Sequence, residues 1–157
     1  MELLVGLMKN MFKQLEIKNN TAFDGAIYGA FLLVAGLVLP AFLIFIINFI
    51  GHSEIIEEVA KALVVLFLIL KFSTFKQKIG AGITFGFLFG VSENFFYLNQ
   101  IFQFGDGGVF WQRFYLPLPM HIITVLIMLF FASISKKFIF LGMIIAIVVH
   151  IVFNSFC

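Results

Sequence analysis

The chain has 157 residues, of which 62% are apolar and 11% charged, and its net charge is +2. A soluble domain carries about 25% charged residues, so this composition cannot cover a water-facing surface. No basic stripe interleaved with aromatics is present, which argues against nucleic acid as a partner, and the single cysteine, Cys157, rules out an intramolecular disulfide and any cysteine-built metal site.

Residues 1–18 set Leu4, Leu7, Met8, Met11, Phe12 and Leu15 at helical spacing, with lysines after the apolar start instead of before it. This predicts an amphipathic helix on the membrane interface over residues 1–20, not a cleaved signal peptide. Five segments then have the length and apolarity of a membrane crossing, which takes about 20 residues. They are 25–50, with Pro40 as a kink, then 53–70, 79–104, 114–134 and 138–156. The expected fold is all-α, a polytopic membrane helical bundle forming one integral membrane domain over 1–157, with its four-helix core in 53–156.

The lysines test this count. Lys9, Lys13 and Lys18 precede the first span, Lys71, Lys76 and Lys78 separate the second from the third, and Lys136 and Lys137 separate the fourth from the fifth. Five crossings put these three segments on one side. The positive-inside rule makes that side cytoplasmic, so the expected site of action is the cell membrane, with the N-terminus inside and the C-terminus outside.

Ionisable groups inside spans cost roughly 2.5–3.5 kcal/mol each on insertion scales and mark function when they are kept. Glu54, Glu57, Glu58 and Lys61 fall in the second span, Glu93 and Asn94 in the third, His121 in the fourth, and His150 and Asn154 in the fifth. With about 1.5 Å of rise per residue and a core of about 30 Å, Glu57, Glu93, His121 and His150 lie roughly 6–12 Å below the outer surface. Four helices thus deliver polar groups to one layer. Helical spacing pairs Glu57 with Lys61, Glu54 with Glu58, and His150 with Asn154. Gly80, Gly82, Gly86 and Gly90 give the third span a small-residue face for close helix approach.

These residues also form an ordered set of motifs. Glu57-Glu58-Val59-Ala60-Lys61 reads E-E-x-x-K; Phe89-Gly90-Val91-Ser92-Glu93-Asn94 with Tyr97 reads F-x-x-x-E-N-x-x-Y; Arg113, Pro119 and His121 follow, and then His150-x-x-x-Asn154. Over residues 53–156 the set resembles the PrsW-type intramembrane proteases, relatives of the CAAX prenyl-endopeptidases and the bacteriocin-immunity-type membrane proteases. The resemblance implies an endopeptidase working at the membrane, with Glu57, Glu58, Glu93, His150 and Asn154 in the catalytic motifs. Residues 23–29 resemble a family segment expected after the first motif and stand early here.

Peptide hydrolysis needs an activated water, an oxyanion site and a proton for the leaving amine. Glu57 is the candidate base, Glu93 its partner at the water, and His150 with Asn154 the oxyanion donors, supported by Lys61, Asn94 and His121. Glu93, His121 and His150 also have the donor types for Zn²⁺. No H-E-x-x-H helix is present, and metal-dependent and glutamate-only hydrolysis both stay open. The nearer aqueous face is the outer one, which points to a membrane-anchored protein or peptide as substrate. The competing readings are a proton or ion pathway and a non-catalytic scaffold; the first is disfavoured because the cytoplasmic half of each span is almost wholly apolar.

Overall fold

The computed structural model describes the backbone of residues 2–104, 108, 111 and 115–156, and the side chains of residues 25–96, 98, 108, 111 and 115–156. The amphipathic face expected within residues 1–20 and the side chains of Tyr97 and Arg113 lie outside these. Among the described residues there is no strand. The order is α1 (Glu2–Ile50), α2 (Ser53–Lys71), α3 (Phe75–Phe104), α4 (Pro117–Ile134), a 3-10 turn (Lys136–Phe138) and α5 (Ile139–Phe156).

The chain divides into two compact units, Met1–Leu32 and Leu33–Cys157. The first is helical from Glu2 onward, as the opening part of α1. The second carries every candidate site residue.

From Leu33 onward α1 exposes Val34, Val38, Phe42, Phe45 and Phe49, a stripe at helical spacing whose last member is 94% exposed. Such a stripe suits lipid. Its other face meets α3. A Cβ at Gly36 would collide with the Leu88 side chain, so glycine sets how closely the two helices pass. Pro40 removes one rung of the helix ladder. In the same stretch Ser92 Oγ donates to the Leu37 carbonyl at 2.7 Å, a side-chain bond of the kind that satisfies helix backbone away from water.

Gly51 and His52 both take positive φ, 76° and 56°, and turn the chain sharply into α2. Glycine suits this conformation, and a residue with a Cβ, like His52, is uncommon in it. α2 buries Glu57, Glu58 and Lys61 together with Val64, Val65 and Leu68 and packs against α3, α4 and α5. Among the described residues, four stretches are long and apolar enough to cross a membrane: Gly25–Ile50, Phe75–Phe96, Pro117–Ile134 and Lys136–Phe156. α2 is the fifth segment expected to do so. It has the length, but Glu54, Glu57, Glu58, Lys61 and Lys71 make it more charged than the other four. Its charged face therefore turns into the bundle.

Glycines on α3 bring α4 close. A Cβ on Gly86 would stand 2.8 Å from Ile122 Cα and 2.9 Å from the His121 carbonyl, and one on Gly90 would stand 2.9 Å from His121 Cδ2. The core between the helices is built from Phe85, Phe89, Val65, Leu68, Val125, Met128, Leu129 and Ala146. Gly142 lets α5 approach α4, since a Cβ there would stand 3.0 Å from Met128 Cα.

Candidate active site

Glu57, Glu58 and Lys61 leave α2 on one buried face because three- and four-residue spacings return to the same side of a helix. α4 opposes them with His121, one turn into a helix that begins at Pro117, and α5 opposes them with His150. The three helices enclose a network. Lys61 Nζ donates to Glu58 Oε1 at 2.6 Å and lies 2.7 Å from His121 Nδ1. His150 Nδ1 lies 2.8 Å from the same Glu58 oxygen. Glu58, Lys61 and His121 are all 0% exposed. Lys61 Nζ also lies 4.6 Å from the centre of the Phe89 ring, whose face favours a cation.

The helical spacing pointed to Glu57 as the partner of Lys61, and here the structure differs. Lys61 takes the carboxylate three residues back, Glu58, because His121 and His150 converge on that side of α2. Glu57 is left at the edge of the network, where it lines a cavity of about 340 Å³ together with Glu93 and residues of α1.

Glu93 comes from α3. Its Oε2 lies 2.5 Å from His121 Nε2, a close contact without the alignment of a hydrogen bond. Among the described residues, Glu57 Oε2, Glu93 Oε2, Glu58 Oε2 and His121 Nε2 are buried and have no hydrogen-bond partner. Buried polar atoms without a partner are costly, and each one calls for a proton, a water or an ion. Glu57, Glu93 and His121 each bring a ligand atom to within 4.8 Å of the others. Carboxylate and imidazole donors in that arrangement suit a divalent ion. Of the residues expected to offer metal ligands, Glu93 and His121 fall in this group with Glu57, while His150 binds Glu58 through Nδ1.

The remaining expected residues are near but differently engaged. Asn94 is buried beside Glu93. Asn154, one turn beyond His150, is exposed and donates from Nδ2 to Glu54 Oε1 at 3.1 Å. His121 and His150 meet edge to face, with ring centres 5.6 Å apart. Sequence reasoning overlooked Asn48, which lines the cavity beside Glu57 and Glu93. A polar residue inside the apolar run Phe45-Ile46-Ile47-Asn48-Phe49-Ile50 was the available signal.

A family model described as PrsW family intramembrane metalloprotease matches residues 42–157. No curated protein and no solved structure matches the chain.

Proposed function

Because this chain belongs to the PrsW family of intramembrane metalloproteases, and is therefore a multi-pass membrane peptidase, we propose that it hydrolyses a peptide bond of a membrane-anchored protein or peptide near the outer face of the bilayer. The observation that carries this reading is the convergence of Glu57, Glu93 and His121, each with a buried atom that makes no hydrogen bond, beside a cavity. In the proposed topology the N-terminus is cytoplasmic and the C-terminus outside, a reading that the lysine distribution supports.

Glu57, Glu93 and His121 would hold a divalent ion, and Zn²⁺ suits their mixed donor set. When bound, such an ion polarises the scissile carbonyl and acidifies a water to a nucleophile near neutral pH. The chain's own groups supply the rest. A carboxylate has two oxygens, so Glu57 can act as a ligand through one and accept the water's proton through the other. Glu57 then returns that proton to the leaving amine. His150, with Nδ1 engaged by Glu58, keeps Nε2 for the substrate and, protonated there, donates to the developing oxyanion. Asn154 has two N–H donors and gives one to Glu54, leaving the other for the same oxyanion. Lys61 compensates the buried charge of Glu58 and so fixes the carboxylate that orients His150.

Reconstitution with single-span substrates tests this. Wild type cleaves them, while Glu57→Gln and His150→Ala do not, and a chelator stops the reaction. Variants that cleave as well as wild type overturn the assignment.

A further inference from the structure

The cavity beside Glu57 and Glu93 has one wall that the catalytic motifs do not supply. That wall is the last part of α1, which contributes Leu43, Ile44, Ile47 and Asn48, facing Phe89 and Phe96 of α3. Its base is fixed. Ser92 holds the Leu37 carbonyl, and Gly36 packs against Leu88, both about three turns before Asn48 and, on α3, within about a turn and a half of Glu93. The wall therefore keeps its position relative to Glu93. At about 340 Å³ the cavity falls at the lower end of the range for small-ligand pockets, enough for one large side chain.

A peptide bond presented to Glu57 must run past this opening. In an extended substrate, successive side chains point to opposite faces, so one residue flanking the scissile bond projects toward the cavity. The apolar and aromatic lining favours a bulky apolar side chain there. Asn48 is the polar group on the α1 wall, and among the described residues its amide makes no hydrogen bond. An asparagine amide offers a donor and an acceptor side by side, the complement of a peptide group.

We propose that this cavity is the substrate pocket for a residue flanking the scissile bond, that it selects a bulky apolar side chain, and that Asn48 positions the substrate main chain beside Glu57. The proposal rests on the peptidase reading and deepens it. α1 is thus part of the specificity machinery as well as a membrane span.

The probe is a set of single-span peptides with an apolar span and one varied residue at each site flanking the cleaved bond, running from Ala to Phe. Wild type prefers Phe or Leu over Ala at one of those sites. Ile44→Trp, which fills the pocket, lowers the Phe-to-Ala ratio of kcat/KM at least about tenfold, the discrimination expected when apolar volume in a pocket changes. Phe45→Trp, on the lipid-facing stripe, leaves the ratio within about twofold. Asn48→Ala raises KM about tenfold or more with kcat little changed, and Asn48→Gln recovers part of the loss. A second measurement does not depend on turnover. A photo-crosslinking residue at position 47 of the Glu57→Gln protein labels the varied peptide residue. An unchanged size preference in Ile44→Trp, or crosslinks to lipid alone, overturns the pocket. Failure of wild type to cleave any peptide counts against the peptidase reading instead, and the crosslinking result then decides the pocket separately.

Discussion

Lys61 Nζ and Glu58 Oε1 stand 2.6 Å apart with both side chains fully buried, and the same carboxylate oxygen receives His150. Removing charge from water is expensive, and breaking one side of a buried pair typically costs about 3–5 kcal/mol because the other charge is left uncompensated. Lys61→Met is therefore expected to lower the thermal midpoint in detergent sharply, although methionine fills a similar volume. Lys61→Met combined with Glu58→Gln removes both charges and recovers most of that loss. Equal destabilisation by the single and double variants would show that packing, not charge, holds this pair.

The Glu58–His150 contact leads to a second expectation. A glutamine at position 58 can still accept a hydrogen bond from His150 Nδ1, but it carries no charge. Glu58→Gln strands the Lys61 charge, so it should lower the thermal midpoint as Lys61→Met does, and in the protein that stays folded it should reduce kcat by about 10²-fold or more, because His150 loses the carboxylate that orients and polarises it. Glu58→Ala also releases the ring and should cost more. Steady-state kinetics of the two variants, with circular dichroism to follow folding, separate charge from orientation.

The metal reading makes its own demand. Glu93→Gln and His121→Ala should each weaken zinc binding beyond the roughly 10–100-fold that loss of a supporting neighbour costs. Glu54→Ala, whose side chain meets Asn154 at the surface, should leave binding unchanged. Metal content after dialysis against graded chelator measures this without any substrate. If zinc stays bound in both ligand variants, the site lies elsewhere.

Much of this arrangement was legible in the sequence because hydrophobicity and helical rise are local properties. The spans at 25–50 and in α3, α4 and α5, and the shared layer of Glu57, Glu93, His121 and His150, follow from residue type and a fixed rise per residue. The choice of partner within the layer is not local. Glu57 and Glu58 are equally reachable from Lys61 along one helix, and the decision falls to Glu58 because α4 and α5 bring His121 and His150 to that flank. Asn48 was missed for a related reason. Its part in the site depends on α1 passing beside α3, which Gly36 and Ser92 arrange and which no spacing within α1 reveals.

The glycines of α3 separate close approach from mere tolerance, and the contrast can be measured. A Cβ at Gly86 would stand 2.8 Å from Ile122 Cα and 2.9 Å from the His121 carbonyl, both backbone atoms that yield only if α4 moves. A Cβ at Gly80 would meet nothing within 4 Å. Alanine is the better helix former by up to about 1 kcal/mol, so Gly80→Ala should be neutral or stabilising. Gly86→Ala should destabilise by about 1–3 kcal/mol, the usual cost of overpacking. Because the displaced backbone carries His121, Gly86→Ala should also weaken zinc binding, whereas Gly80→Ala should not. Thermal unfolding and chelator competition on the two variants give the comparison. A Gly86→Ala protein as stable and as zinc-competent as wild type would mean that α4 is not held against α3 at the level of His121.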